Sequence, residues 1–297
     1  MDALGDTVFD IATVKAGITR PGRPVVLGPQ LHSEAVEAVR LAARSKGCPL
    51  VDSAREVSVT PAGLSRSADG SLVQRCHIRA GGLEVEGAGL GLLGLHQLDN
   101  VASVVGACRQ LASAGWDIPE GALRDGLAAT RLPGRFEVRS ATISGQRMWL
   151  VLDAAHTTES AQATANVLRE AFPGHNLALI VSLLEDKDVR GVMRALRGAA
   201  PRVVIHTDGL SDGDGGGRQP VNSGALSAAW QLAAMQDRNP QTRRLRTREL
   251  LFASMEAAMA KAMDELQAAE GEGVICVTGS FRAVASAMRS TTFQAYF

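Results

Sequence analysis

Trp149-Leu150-Val151-Leu152-Asp153-Ala154-Ala155-His156-Thr157-Thr158-Glu159-Ser160 decides the fold. Four apolar residues in a row, closed by a carboxylate, read as a strand buried on both faces. Small residues and hydroxyls then open a helix expected over 159–172. The same order recurs downstream. Strands are expected at Leu177–Leu183, Arg202–His206 and Val274–Val277, and helices at Asp188–Leu196, Ala225–Ala234, Leu250–Ala269 and Phe281–Met288. Alternating strands and helices imply a mainly parallel sheet covered on both sides, with its ligand site beyond the carboxyl ends of the strands. Asp153, His156, Asp186, Lys187 and Ser280 occupy such positions.

The first half reads differently. A helix over 6–16 leads to a short strand, 23–28, and a second helix over 33–46 that Ser33 is placed to cap. Residues 48–92 are a run of short, turn-separated β segments. Helices follow from about 96 to 114 and, with Asp117 as expected cap, to about 129. Periodicity breaks at Thr130-Arg131-Leu132-Pro133-Gly134-Arg135-Phe136, which puts the boundary between two domains at 1–132 and 133–297.

Composition narrows the function. The 297 residues carry 31 basic and 31 acidic side chains, net +0, so no basic surface argues for nucleic acid or an anionic membrane. With 4% aromatic residues, base stacking is not a natural activity. The four cysteines form no C-x-x-C pair and read as buried thiols. No run of about 18 apolar residues occurs, and the N-terminal segment, which contains acids, resembles neither a secretory signal nor a transit peptide. A soluble protein of the cytoplasm or mitochondrion, monomeric, is expected. His32, His77, His175 and His206 lack metal-ligand spacing and read as surface or satisfied core residues.

Two phosphate-binding motifs bear on the function. Gly89-Leu90-Gly91-Leu92-Leu93-Gly94 fits G-x-G-x-x-G, but its leucines read as strand residues and no acid follows about 20 residues on. No Gly-Lys dipeptide exists, so the 297 residues contain no Walker A loop. The Asp153–Ser160 turn can offer helix-terminal amides to an anion and its aspartate to ribose hydroxyls; on local pattern alone it is as readily a simple helix cap. Thr278-Gly279-Ser280 is a second strand-to-helix turn of the same kind. Glu185-Asp186-Lys187-Asp188 reads as a solvated charged turn.

Six segments, in order, resemble one family, the dihydrofolate synthase/folylpolyglutamate synthase group of the Mur ligase superfamily. They are Ile11-Ala12-Thr13-Val14-Lys15-Ala16-Gly17-Ile18 with Pro24-Val25-Val26; Leu93-Gly94 with His96-Gln97 and Asn100; Pro133-Gly134-Arg135-Phe136-Glu137; Asp153-Ala154-Ala155-His156; Asp186-Lys187-Asp188; and Thr278-Gly279-Ser280. Val14 stands where the family has glutamate, and Thr157 and Thr158 where it has Asn-Pro. Ala155-His156-Thr157 with Glu159-Ser160, and the 22–28 segment, look most like the plant-type dihydrofolate synthases. The family's N-terminal part, with its phosphate loop, has no counterpart in the 297 residues.

The resemblance implies an α/β chain in which the end of the central ATP-binding domain precedes a Rossmann-like ligase domain. It implies ATP and Mg2+ and, as partners, L-glutamate with dihydropteroate or a reduced folate. The reaction would pass through an acyl phosphate, dihydropteroate being the preferred acceptor. The alternatives are folylpolyglutamate synthase, a non-catalytic nucleotide- or folate-binding remnant, or a nicotinamide (NAD)-dependent oxidoreductase resting on the glycines at 89–94. By matching position, Asn100 would contact adenine, Arg135 the phosphates and Asp153 the ribose. Lys15 would be carbamylated to put a carboxylate near magnesium. His156 and Ser280 would lie near the incoming glutamate, with His156 and Lys15 in catalytic roles.

Overall fold

The computed structural model describes residues 5–67, 71–210, 218–237 and 246–297. The sequence predicts a Gly/Asp-rich loop over 208–217 and an arginine-rich exposed connection over 236–248; of these, residues 211–217 and 238–245 lie outside the described residues.

The chain divides into two compact units. One comprises the residues through Ser65, Val73–Gly91 and Leu95–Thr130; the other comprises Arg66–Leu72, Leu92–Gly94 and Arg131–Phe297. In the first unit, helix α1 (Val8–Lys15) opens with a capping box between Thr7 and Asp10 and continues into a 3-10 turn, Ala16–Ile18. Strand β1 (Val25–Leu27) pairs in parallel with β2 (Leu50–Asp52), and α2 (Ser33–Ser45) connects them. The N-cap of α2 is His32, so Ser33 lies in the first turn and bonds Glu34 instead of capping.

After a single turn, α3 (Ser53–Glu56), the strands β3 (Ser58–Arg66), β4 (Leu72–Ala80) and β5 (Leu83–Leu90) form a three-stranded sheet. Cys76, Ile78, Val85, Ala88 and Leu90 pack from it against Leu98, Val101 and Val105 of α4 (His96–Ser113) and Leu123 and Leu127 of α5 (Glu120–Ala129). Helix α5 is capped at Pro119, whose fixed φ suits a helix start, so Asp117 does not cap it. Gly89 sits inside β5, paired antiparallel with Arg75 of β4. A dinucleotide fingerprint needs the turn of a parallel strand–helix unit; the glycines at 89–94 have no such setting, and the oxidoreductase reading loses its support.

The second unit is a six-stranded sheet. The strands are β6 (Glu137–Ile143), β7 (Gln146–Asp153), β8 (Asn176–Val181), β9 (Val203–Thr207), β10 (Arg248–Phe252) and β11 (Gly273–Thr278), in the spatial order β10-β9-β8-β11-β7-β6. All pairs are parallel except β6–β7. Helices α6 (Thr158–Ala171), α7 (Val189–Arg197), α8 (Ser223–Met235), α9 (Met255–Gln267) and α10 (Phe281–Met288) connect or follow the strands, and α11 (Thr291–Tyr296) ends the chain. One face of the sheet, including Leu150, Leu152, Ile180, Ile205, Ile275 and Val277, packs on Ala258, Met259, Ala262 and Leu266 of α9 and on Ala283 and Ala287 of α10. Trp149, Val151, Leu179 and Cys276, on the other face, are buried as well. Burial on both faces is why these strands are continuous apolar runs.

Three expectations need correction. Residues 248–252 are a strand beside β9, not the start of the helix expected over Leu250–Ala269, which begins only at Met255 behind its Ser254 cap. The hairpin strand β6 went unread, and α11 follows the helix expected to be last.

Candidate functional site

The carboxyl ends of three adjacent strands meet in one row of the second unit: Thr278 of β11 is in register with Asp153 of β7 on one side and Val181 of β8 on the other. This is the crevice where open parallel sheets bind ligands. The chain order β7, β8, β9, β10 moves across and away before β11 returns between β7 and β8.

Asp153 is the hub. Its Oδ2 accepts from the Phe136 amide at 2.8 Å, and its Oδ1 accepts from the Ala155 amide at 3.0 Å and the Thr164 hydroxyl at 2.8 Å. A carboxylate has about four acceptor places, so three are filled by the protein itself. The first bond pins the Pro133–Glu137 turn, in which Gly134 (φ 70°) and Phe136 (φ 46°) are both left-handed. For Phe136 that conformation is strained, and the bond to Asp153 helps hold it. Arg135, between them, lays its guanidinium over the Phe281 ring, 4.9 Å from the centroid.

His156 is half-buried. Its Nδ1 lies 2.8 Å from the Ala154 carbonyl oxygen, which can only accept, so Nδ1 carries the hydrogen and the neutral ring has its lone pair on Nε2. The His156 and Thr157 amides both donate to Ser160 Oγ, at 3.1 and 3.0 Å, and Thr157 caps α6. This cap takes up the His156, Thr157 and Ser160 amides, three donors that would otherwise be open to an anion. Thr158 donates to Asp188 Oδ2 at 3.2 Å, tying the α6 turn to the Asp186–Asp188 turn. There Lys187 Nζ bonds Asp186 at 2.9 Å and Arg218 lies 3.2 Å away; Lys187 first, then Arg218, holds the Asp186 carboxyl below the usual range. Asp188 caps α7.

The Thr278–Ser280 turn is close-packed. Gly279 (φ 113°) lies so near the Ser182 carbonyl that a Cβ would stand 2.2 Å from its oxygen. Ser280, buried, caps α10 and donates weakly to that carbonyl at 3.4 Å. The buried hydroxyls of Thr278 and Ser182 have no hydrogen-bond partner among the described residues. Below them Cys276, fully buried, has its thiol pushed well up by burial, with the nearby Asp153 charge adding to the shift.

In the first unit, Lys15 is exposed at the end of α1. Asn100 is exposed on the first turns of α4 and donates to Gln97 at 2.8 Å. Among the described residues no three His, Cys, Asp or Glu side chains gather as a metal site would require. Nor is any helix long and apolar enough to cross a membrane. Sequence reading missed Thr164, whose bond to Asp153 joins residues eleven apart; it read His206 as a surface or satisfied core residue, whereas His206 is fully buried on β9 with Nε2 3.5 Å from Glu249 and Nδ1 without a hydrogen-bond partner among the described residues.

Comparison with known proteins points to the same family that the six segments resemble. Residues 134–281 match the family "Mur ligase, glutamate ligase domain". The chain is 31% identical over 227 residues to the dihydrofolate synthase/folylpolyglutamate synthase of Mycobacterium tuberculosis, a match covering 70% of this chain and 42% of the relative. It is 28% identical over 203 residues to the Bacillus subtilis protein of the same name, covering 66% and 43%. The crystal structure of Mycobacterium tuberculosis folylpolyglutamate synthase complexed with ADP superposes with a TM-score of 0.70 at 25% identity, covering 97% of this chain and 60% of that one. The chain thus spans about half the length of the relatives it matches.

Proposed function

We propose that this chain belongs to the dihydrofolate synthase/folylpolyglutamate synthase family of Mur ligases and serves an ATP-dependent ligase joining L-glutamate to dihydropteroate. The observation that carries the reading is the row Asp153–Thr278 at the carboxyl edge of the sheet, with the Pro133–Glu137 turn pinned to it. The relatives named for this activity, and a neighbour crystallised with ADP, support it.

In this reading the terminal phosphoryl group of ATP passes to the pteroate carboxylate. The glutamate amine attacks the acyl phosphate, the C–O bond to phosphate breaks, and an amide forms with loss of one amine proton. Asp153 takes a ribose hydroxyl, and Arg135 takes phosphate oxygens, to which a planar guanidinium is suited. Asn100 is assigned to adenine, since an amide both donates and accepts. His156 Nε2, the unprotonated nitrogen, receives the amine proton, and the Ser280 turn lies at the glutamate end. Lys15 is assigned to magnesium as its carbamate. Among the described residues no cluster of three His, Cys, Asp or Glu side chains stands ready to complete its coordination.

A non-catalytic nucleotide- or folate-binding chain is the second reading. Amide formation dependent on ATP and L-glutamate separates the two. The assay uses the chain alone and the chain mixed with a phosphate-loop-bearing N-terminal half of a relative, each offered dihydropteroate and folylmonoglutamate. The chain alone is expected to stay well below about 1 turnover per second, an ordinary enzymatic rate. The mixture is expected to show the higher kcat/KM with dihydropteroate. A higher value with folylmonoglutamate moves the acceptor to reduced folates, and a silent mixture favours the non-catalytic reading.

A further inference from the structure

The Thr164 hydroxyl belongs to no sequence motif, yet among the described residues it is the only side chain that donates to the Asp153 carboxylate; the other two donors are backbone amides. Thr164 is 4% exposed on α6. Its single proton has two acceptors in reach, Asp153 Oδ1 at 2.8 Å and the Ser160 carbonyl, one helical turn back, at 3.0 Å. The charged acceptor at the shorter distance forms the stronger bond. Helix α6 is itself fixed by the Thr157–Ser160 cap and by Thr158 on Asp188, so the donor cannot drift.

We infer that Thr164 is a positioning residue for nucleotide recognition, acting through Asp153. This rests on the reading that Asp153 accepts from ribose. With Oδ1 filled by Thr164 and Ala155, and one place on Oδ2 filled by Phe136, one acceptor place is left, on Oδ2. The three donors fix the plane of the carboxylate, and therefore the direction of that last place. Without the hydroxyl, the carboxylate keeps one donor on each oxygen but gains a vacant place on Oδ1, which water or a wrongly placed hydroxyl can fill, and its plane is held by two bonds where there were three. Thr164 thus converts a carboxylate of several acceptor directions into a single-hydroxyl reader, a matter of specificity more than of gross affinity.

The test is the ratio of dissociation constants for 2′,3′-dideoxy-ADP and ADP, measured by calorimetry on the full chain. Unaltered protein is expected to favour ADP. Thr164→Val, which keeps the branched shape and loses the hydroxyl, is expected to reduce that preference about tenfold, the worth of one good hydrogen bond, while Thr164→Ser retains it. Thr164→Ala, which removes the γ-methyl together with the hydroxyl, carries the same expectation should the second methyl of Val disturb the packing. A lowered melting temperature in Thr164→Val and Thr164→Ala with an unchanged ratio would mean a purely structural threonine and overturn the inference. Asp153→Ala separates the two levels. If it too leaves the ratio unchanged, or if unaltered protein shows no preference, the ribose reading falls and takes the inference with it. If it abolishes the preference and Thr164→Val does not, only the inference falls.

Discussion

Replacing Gly279 by alanine should cost the second unit several kcal/mol. The position has φ 113°, a conformation that L side chains seldom adopt, worth about 1–3 kcal/mol of strain. The added Cβ would lie 2.2 Å from the Ser182 oxygen, 2.8 Å from its carbon and 3.2 Å from its nitrogen. That is backbone, not the end of a flexible side chain, so relief means moving a peptide by at least about 1 Å. The Ser182 peptide also closes the β8–β11 ladder, its amide donating to the Thr278 carbonyl at 3.1 Å, and it receives the Ser280 hydroxyl. Loss of those two bonds adds about 1 kcal/mol each. Together the change is about 3–5 kcal/mol, a fall in melting temperature on the order of 10 °C for a domain of this size.

Urea unfolding followed by tryptophan fluorescence reads the right unit, because Trp149 and Trp230 are 3% and 1% exposed whereas Trp116, in the first unit, is 67% exposed. Gly126→Ala is the control. It lies inside α5 with nothing within 4 Å of a new Cβ, so it should stabilise the first unit by about 0.5–1 kcal/mol. A loss below about 1 kcal/mol in Gly279→Ala would refute the close-approach argument.

Three further outcomes follow from the same contacts. Thr278→Val replaces a buried, unpartnered hydroxyl with a methyl group of equal shape and should raise stability by about 1 kcal/mol in urea titrations; a loss would mean the hydroxyl has a partner. The Trp149 indole, and after it His175, holds the Glu272 carboxyl below 4.5, so its contribution to stability is full above that value and is lost as pH falls through the lower folded value. Glu272→Gln should therefore flatten the loss of stability below about pH 4.5 and leave the alkaline side unchanged; an unchanged acid limb would count against the pair. For Lys15→Ala, in the chain complemented by a phosphate-loop half, kcat should drop roughly 10–100-fold with unchanged circular dichroism and recover partly with small carboxylates. Wild-type kcat at saturating ATP and magnesium would leave Lys15 an ordinary helix-end lysine.

What could be read in advance followed the physics of burial. β7, β8, β9 and β11 announce themselves because strands covered on both faces are apolar throughout. β6 hid because it is a sheet edge: Glu137, Arg139 and Ser140 keep one foot in water, and the run has no apolar stretch. β10 hid in plain view, since Leu250-Leu251-Phe252 flows into the apolar positions of α9 and only Ser254 marks the break. Asp153, His156 and Ser280 were findable because strand ends and helix starts carry recognisable residue types. Thr164 was not: mid-helix threonine is ordinary, and its importance lies in a side-chain bond back to the strand before it.

The place of β11 has a consequence for biosynthesis. It fills the middle of the sheet, between β7 and β8, yet in chain order it is the last of that sheet's described strands. Until Gly273–Thr278 leaves the ribosome, the β6–β7 hairpin and the β8–β9–β10 layer have no strand to join them, and Val151, Leu152, Leu179 and Ile180 lose their central neighbour. A nascent second unit must therefore wait with two open, apolar strand edges facing each other, the kind of surface that chaperones cover and that aggregates when they do not. Pairing a strand with one more than a hundred residues upstream also carries a high loop-closure entropy, which puts this unit among the slower folders for its size.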